Sequence, residues 1–471
     1  PLFIFTRIRI LQAKSLQIMK GELPNPKQGN IFQPNLHQIV NPAHELVLLA
    51  QQINWQYFEE EFTPLYSKTG KPSKPVRVMV SLLLLKHMYN HGDETLMDAW
   101  VQSPYYQYFS GMDTFQWKPP CDPSDLVYFR KRIGEAGVEK IFHYSVQIQG
   151  PEVLEKKLIV DTTVQETNIA FPTDTKLQVK IVKSCVKIAD KEGITLRQRY
   201  PRKLKQLLQQ CRFSHHPKRK KAGRSAKRQI KTIAGRLIRE LKRKLNPEQQ
   251  SQYENLLSLY EAQLLQQRQD SNKIYSFHAP HTYCIAKGKE HKPYEFGTKA
   301  SLAVGYNSGI IISALCIANN DYDGHTLDQV LEQTQRLHGY KPENIIADRG
   351  YRGIKEIGNT NILIPGPKNK NQSVYEQRKL RAMFRRRASI EPIIGHVKSD
   401  HRMERSFYKG LTGDRMNVLL ACAAWNLKKF MKKLAKAFSL PFLAVFLLLE
   451  DSLRRLFDGY RKASLPFLIP L

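Results

Sequence analysis

A group of charged residues in the C-terminal third of the chain combines one carboxylate with two cations. Glu391 follows Arg387 by four residues and precedes Lys398 by seven. On a continuous helix of about 3.6 residues per turn, these spacings put all three side chains on one face. A carboxylate can coordinate a metal ion, and the cations beside it can hold the phosphates of a nucleic acid. The alternative is an exposed helix whose charges only pair with one another.

Two further acids occur in short apolar runs that predict β-strands. Asp161 lies within the run at 157–164, and Asp348 ends the run at 344–348. A carboxylate inside a strand is costly to bury unless it is paired or binds a metal, and a paired structural residue is the alternative for each acid alone. Three acids on one α/β domain of a basic chain match a site that holds two Mg²⁺ or Mn²⁺ ions. We therefore take Asp161, Asp348 and Glu391 as candidate catalytic and metal-binding residues.

The charge of the chain predicts a polyanionic partner. The formal net charge is +32 at pH 7, and residues 200–246 contain seventeen Lys and Arg against one acid. Nucleic acid is the leading partner for such a surface, and a solvated helical arm without a ligand is the alternative. The candidate DNA-binding residues of this segment are Lys218, Arg219, Lys220, Lys221 and Arg224. Apolar residues at helical spacing predict a buried stripe, formed by Leu204, Leu207, Leu208, Ile230, Ile233, Leu237, Ile238 and Leu241.

The cysteines and the hydropathy of the chain argue against a disulfide framework, a zinc site and a membrane partner. The six cysteines have no paired spacing, so we expect neither a disulfide framework nor a cysteine-rich zinc site, and a reducing cytoplasm fits best. The longest apolar stretch, 440–449, is too short to cross a bilayer, so no membrane partner is expected. Residues 1–18 lack the uninterrupted apolar core of a signal peptide, and Met19 is a candidate natural start.

The pattern along the chain divides it into four parts. Residues 1–39 read as an N-terminal arm, and 438–471 as an apolar C-terminal tail. Residues 40–150 have the pattern of short helices, which fits a DNA-binding or assembly domain and equally a small helical bundle. Residues 151–437 have the order strand, hairpin, helix, strand of an α/β domain, with a basic helical insert at about 176–272.

Local signals predict where two helices begin and end. Asp122 and Pro123 are an N-cap and a first-turn proline for a helix that ends at Gly134. Near the C-terminal acid, Pro392 disfavours helical geometry in the residue before it. Glu391 is therefore expected at the start of a helix. The argument that the side chains share one helix face is then weaker for Arg387, which precedes Glu391, than for Lys398, which follows it.

These residues resemble the DDE-type transposases of bacterial insertion sequences, in the group that contains insertion sequences four and five. The family signature is tyrosine, two residues, arginine, three residues, glutamate, six residues and lysine. This chain has Phe384, Arg387, Glu391 and Lys398 at that spacing, with phenylalanine where the family has tyrosine. The segments at 160–164 and 347–351 resemble the first and second acidic motifs. Residues from about 44 to 134 resemble the N-terminal domain of the insertion-sequence-five group.

The resemblance implies a ribonuclease-H-like catalytic domain, preceded by an all-helical N-terminal domain. It implies metal-dependent cleavage that frees 3′-OH ends of double-stranded DNA and transfer of those ends into target DNA. It also implies a bacterial, nucleoid-associated protein that forms a homo-oligomer on DNA.

Three other classes of function stay open at this point. A metal-dependent nuclease would share the acids but not the strand transfer. A catalytically inactive relic would only bind DNA, although all three acids are retained. An RNA-binding protein is expected to show aromatic stacking motifs on a sheet, and the sequence does not show them.

Overall fold

The protein is described by a computed structural model. It covers residues 34–67, 73–212, 214, 216–267, 269–286, 292–319, 321–366 and 373–463, with side chains as far as Phe438. Most of the predicted arm, with Met19, and the end of the predicted tail lie outside the described residues. Within the described part of the chain, no helix is long and apolar enough to span a membrane.

Helices occupy most of the described chain before residue 148. They are α1 (Leu36–Ile39), α2 (Glu45–Gln52), α3 (Trp55–Phe62), α4 (Val76–Met88), α5 (Asp93–Gln102), α6 (Pro104–Phe109) and α7 (Pro123–Gln147). Asp122 caps α7 as predicted, because its Oδ1 accepts the N–H of Ser124 at 2.8 Å. The helical path breaks at Gly134, whose φ of 61° suits glycine. A second helical stretch follows this kink, so the predicted end at Gly134 is a break within α7.

A mixed β-sheet follows the helices. Its strands are β1 (Lys157–Thr167), β2 (Tyr283–Ala286), β3 (Tyr294–Gly305), β4 (Ile311–Ile317), β5 (Asn344–Ile346), β6 (Glu356–Ile357), β7 (Thr360–Leu363) and β8 (Arg405–Ser406). β3 pairs antiparallel with one edge of β1, while β5 and β8 pair in parallel with opposite ends of the other edge. β4 pairs antiparallel with β3, which confirms the predicted hairpin, and β7 runs parallel to β5.

The basic insert between β1 and β2 is helical, as its apolar periodicity predicts. It contains α8 (Asp174–Lys191), α9 (Pro201–Arg212), α10 (Lys220–Lys244) and α11 (Pro247–Leu265). These helices have a hydrophobic core of their own. The predicted stripe is buried except at Leu208, which is 36% exposed. Consecutive helical residues point about 100° apart, so Leu207 takes the inward position and Leu208 does not.

Four helices complete the described chain after β4. They are α12 (Thr326–His338), α13 (Val374–Arg387), α14 (Ile390–Asp400) and α15 (Gly410–Ala463). The N-terminal helices and the sheet share one hydrophobic core, which includes Leu83 of α4, Phe142 of α7, Val160 of β1 and Leu420 of α15. Residue 150 therefore marks a change of secondary structure and not a gap between two cores.

Asn426 of α15 joins the helical and sheet parts of this core. Its Nδ2 donates to Ser145 Oγ of α7 at 3.2 Å and to the carbonyl oxygen of Ile311 at 2.9 Å. Its Oδ1 accepts the N–H of Ile311 at 2.9 Å. Both the oxygen and the nitrogen of this buried amide therefore have hydrogen-bond partners. These bonds also align α15 with the start of β4.

Candidate active site

The sheet brings two of the predicted acids together. β1 and β5 run parallel, with Ile159 opposite Ile346. Asp161 and Asp348 each follow two residues later, and Asp348 keeps an extended backbone. Neighbouring strands lie about 4.8 Å apart. This register therefore sets the two acids side by side, although 187 residues separate them in the chain.

Adjacent backbone groups orient both carboxylates. Asp161 Oδ1 accepts the N–H of Thr162 at 2.8 Å, and Asp348 Oδ1 accepts the N–H of Gly350 at 2.7 Å. A methyl group at Gly350 would lie only 2.8 Å from Asp348 Oδ1, so a larger residue here would displace this carboxylate. Both acids thus have restricted rotation on a rigid element, which is the condition for a preorganised site.

The third acid is linked to the sheet by Arg387. Nη2 of Arg387 lies 3.4 Å from Glu391 Oε1, and Nη1 lies 4.0 Å from Asp161 Oδ2. α13 ends at Arg387 and α14 begins at Ile390, so the expectation of one continuous helix is wrong for Arg387. Pro392 is the reason, because proline is accommodated in the first turn of a helix but not in its interior. The turn between the two helices still brings the guanidinium to the carboxylate.

Lys398 and Phe384 lie on the two helices that flank this turn. Lys398 follows Glu391 by two turns on α14, as their spacing predicts, and it is half-buried. The Glu391 side chain is 64% exposed. Phe384 packs its ring against the hydrophobic core from α13. An aromatic ring can occupy this position without the hydroxyl of the family's tyrosine.

Two residues beside the acids were not found by sequence reasoning. Tyr351 is 1% exposed. Burial, with the negative charges of Asp161, Asp323 and Asp348, raises the pKa of its phenol well above the usual value. Asp323 precedes α12, and its Oδ1 accepts from Lys299 Nζ at 2.8 Å. The only sequence signal was an acid at a helix start, which ordinary capping explains.

The donor set suits a hard divalent cation. Carboxylate oxygens are the ligands that Mg²⁺ and Mn²⁺ prefer in proteins. In the part of the chain that is described, no three His, Cys, Asp or Glu side chains converge into a closed metal-binding group. Arg387 instead lies between Asp161 and Glu391, and its charge offsets part of theirs. Asp161, Asp348 and Glu391 are therefore the residues that could hold a metal ion after a rearrangement of Arg387.

The N-terminal helices hold the far end of α14. Nδ1 of His87 on α4 donates to the carbonyl oxygen of His401 at 3.2 Å, and Nδ1 of His401 donates to that of His87 at 2.9 Å. Asn90 Nδ2 donates to the carbonyl oxygen of Ser399 at 2.9 Å. Burial keeps the pKa of His87 well below its usual value, so this ring is neutral at pH 7. The helix that carries Glu391 and Lys398 is thus positioned by α4.

The five candidate DNA-binding residues of the insert form one exposed surface, called the insert patch. They lie in a short turn and the first turns of α10, where no acid is present. The N-terminus of a helix also carries a partial positive charge. Backbone and side chains therefore add to the same positive potential, which favours the binding of phosphate groups.

Comparison with known proteins identifies two domains in the chain. Residues 34–132 match the family described as Transposase domain (DUF772), and residues 270–427 match the family described as Transposase DDE domain. The second range contains Asp348, Glu391 and Lys398, whereas Asp161 and the insert patch lie outside both ranges. No solved structure matches the chain.

A shorter relative matches part of the chain. The chain is 39% identical over 204 residues to "Uncharacterized protein ORF8 in nfe locus" of Rhizobium meliloti, and the match covers 42% of this chain and 98% of the relative. In this chain the match to Transposase domain (DUF772) covers N-terminal helices, and the match to Transposase DDE domain follows it. The chain belongs to the DDE-type transposases of insertion sequences.

Proposed function

We propose that the protein cuts the ends of its insertion sequence and joins the freed 3′-OH ends to target DNA. The observation that carries this proposal is the grouping of Asp161, Asp348 and Glu391. They come from three distant segments of the chain: Arg387 lies 4.0 Å from Asp161 and 3.4 Å from Glu391, and the charges of Asp161 and Asp348 both act on the Tyr351 phenol. Such a set of oxygen ligands suits two-metal phosphodiester chemistry.

We also propose a ribonuclease-H-like fold for residues 151–437. The order β4, β3, β1, β5, β7, in which β3 alone runs against the other strands, supports this fold. The insert enters between β1 and β2 with its own core, so it extends the domain without interrupting the pairing of β1. Residues 40–150 are proposed to bind the element ends or to support assembly, a role that stays a prediction.

Each candidate residue has a defined part in the proposed reaction. Two divalent cations, when bound, would activate the attacking oxygen and stabilise the leaving oxygen. Asp161, Asp348 and Glu391 would hold them. Arg387 would exchange its carboxylate partners for phosphate oxygens, which its planar guanidinium can grip through two N–H groups. Lys398 would hold a neighbouring phosphate of the terminal nucleotide as a point charge.

The DNA partners follow from the same proposal. The insert patch would supply sequence-independent attraction to the duplex. Both ends of the element must be held together for joining, so a homo-oligomer is proposed in the complex with DNA.

A joining assay tests the proposed function. Full-length protein is incubated in Mg²⁺ with linear DNA that carries the element ends and with a circular target plasmid. We expect strand cleavage at the ends and a product in which the 3′ end is joined to the plasmid. Cleavage without that product would indicate a nuclease. Binding without cleavage would indicate an inactive DNA-binding relic.

Neutralising the insert patch is expected to weaken the salt dependence of DNA binding. Replacing Lys218, Arg219, Lys220, Lys221 and Arg224 by Gln should flatten the slope of log affinity against log salt by about 0.9 for each phosphate that the protein no longer neutralises. The side chains are exposed, so the core of the insert should be unaffected. Fluorescence anisotropy across a salt series measures the slope.

The matched control for this variant keeps the charge. Exchanging Lys for Arg and Arg for Lys at the same five positions should leave the slope unchanged. If the Gln variant also keeps the wild-type slope, the insert patch faces away from DNA and the insert serves assembly.

Removal of Lys398 is expected to affect cleavage much more than stability. If Lys398 only paired with a neighbouring acid in contact with solvent, that pair would contribute at most about 1 kcal/mol to stability. A misplaced scissile phosphate can reduce the rate on the order of 100-fold. We therefore expect Lys398→Ala to cleave pre-bound end DNA on the order of 100-fold more slowly in a single turnover, with little change in melting temperature.

Two further variants sharpen the Lys398 experiment. Lys398→Arg retains a cation and should recover part of the rate. Arg385→Ala removes an exposed arginine of α13 and should leave the rate unchanged. Normal cleavage by a destabilised Lys398→Ala protein would assign this face of α14 a structural role.

A further inference from the structure

The three predicted acids do not explain why a buried tyrosine hydroxyl lies beside the candidate site. The hydroxyl of Tyr351 is buried and makes no well-formed hydrogen bond to any described residue, although the Thr162 side chain is close enough to lower the pKa of the phenol. Buried polar groups in native proteins are nearly always paired, because an unmade hydrogen bond costs free energy. A lone phenol in such a position therefore points to a partner that it acquires on binding.

The hydroxyl lies in the field of three carboxylates. Asp161, Asp323 and Asp348 each act electrostatically on the Tyr351 phenol. A methyl group at Gly350 would lie 2.8 Å from Asp348 Oδ1 and 3.6 Å from Asp323 Oδ2. Asp323 and Asp348 thus approach the same glycine, one from the start of α12 and the other from the end of β5. Asp323 and Asp348 therefore lie on either side of the turn that leads to Tyr351.

Lys299 of β3 holds Asp323 in this position. Its Nζ donates to Asp323 Oδ1 at 2.8 Å and to the carbonyl oxygen of Asp321 at 2.5 Å. The lysine side chain is largely buried, so it has little freedom to leave. Oδ2 of Asp323 accepts no hydrogen bond from the described residues, and it is the oxygen that approaches Gly350. One oxygen is therefore anchored while the other faces the site.

We propose that Asp323 is a fourth carboxylate of the cation site, and that Tyr351 positions the acids by donating a hydrogen bond to a carboxylate when a divalent cation binds. The inference rests on the proposed function, because it assigns further residues to the same site. Carboxylates that face one another repel, and a hard cation such as Mg²⁺ or Mn²⁺ draws their oxygens together. The neutral phenol can then donate to the oxygen that is turned toward it.

Titration of the full-length protein with Mn²⁺, without DNA, tests this proposal by calorimetry. Asp323→Asn is expected to raise the dissociation constant for Mn²⁺ about 10-fold or more, as residues that support metal ligands do. Its control is Asp321→Asn, which changes an exposed acid two residues away and should bind Mn²⁺ as the wild type does. Asp161→Asn provides the reference for a lost ligand.

Tyr351→Phe supplies an independent variant that keeps the ring and its packing. It is expected to weaken Mn²⁺ binding, while its melting temperature without cations hardly changes, because the hydroxyl makes no well-formed hydrogen bond that the substitution would remove. A purely structural tyrosine would give the opposite result, with a lower melting temperature and normal Mn²⁺ binding. That result would overturn the role of Tyr351.

The comparison with Asp161→Asn separates this inference from the proposed function. If Asp161→Asn loses Mn²⁺ while Asp323→Asn binds it like Asp321→Asn, Asp323 is not part of the site and the inference is wrong. If Asp161→Asn also binds Mn²⁺ normally, the proposed cation site itself fails, and the inference fails with it.

Discussion

Changing Asp161, Asp348 or Glu391 to its amide is expected to slow cleavage of element-end DNA on the order of 1000-fold or more, while DNA affinity does not fall. Metal ions contribute several kcal/mol to transition-state stabilisation, and about 1.4 kcal/mol corresponds to a factor of ten in rate. The carboxylates are proposed to bind the cations and not the duplex, so the affinity for DNA should not fall. Single-turnover cleavage in Mg²⁺ and fluorescence anisotropy measure the two quantities.

Glu391→Gln is the most informative of the three variants. The side chain is 64% exposed, so the amide should not disturb packing. Glu404→Gln is a suitable control, since Glu404 is an exposed acid that lies shortly after α14. Nicking of end DNA by Glu391→Gln at a rate near that of the wild type would exclude this residue as a metal ligand.

Asp93→Asn is expected to lower the free energy of unfolding by about 3–5 kcal/mol, because it leaves two cations buried without a counter-charge. Asp93 Oδ1 accepts from Lys86 Nζ at 2.6 Å, and Oδ2 accepts from Arg130 Nη2 at 2.7 Å. The Lys86 and Arg130 side chains are 5% and 7% exposed. Both cations also lie over the ring of Tyr408, which precedes α15. The network therefore ties α4, α5 and α7 to the DDE part of the chain.

The same network predicts a pH dependence of stability. Burial alone would raise the pKa of Asp93, but hydrogen bonds and charges from Arg130 and Lys86 outweigh burial and lower it to about 2. Because the folded-state pKa lies below the ordinary value of 3.8, the stabilisation is complete above pH of about 4 and is lost as the pH falls toward 2. Asp93→Asn should lack this part of the acid sensitivity.

Urea unfolding at neutral and acidic pH measures both effects. Asp98→Asn is the matched control, because Asp98 is an exposed acid on the same helix, and substitutions of that kind usually change stability by less than about 0.5 kcal/mol. Equal unfolding midpoints for Asp93→Asn and Asp98→Asn would show that the two cations find other partners.

Local features of the sequence determined the elements of this protein and its family. Short apolar runs and the turn between two of them predicted β1 and the β3–β4 hairpin, helical apolar spacing predicted the insert helices, and the structure confirms these elements. Asp122 predicted the start of α7, whereas the end predicted at Gly134 is only a kink within this helix. Pro392 predicted the separation of α13 from α14. These features depend on steric and hydrogen-bonding preferences within a few residues, so they can be read without the fold.

Only the tertiary structure decided which residues meet. The pairing of β1 with β5 sets Asp161 beside Asp348, and no local pattern specifies a register across 187 residues. The same holds for Tyr351 and Asp323, which look like a buried aromatic residue and a helix-capping acid until the turn at Gly350 brings them together. The shared core of the N-terminal helices and the sheet is also a long-range property. Strand register and core packing depend on contacts between distant segments, and the site forms where those contacts converge.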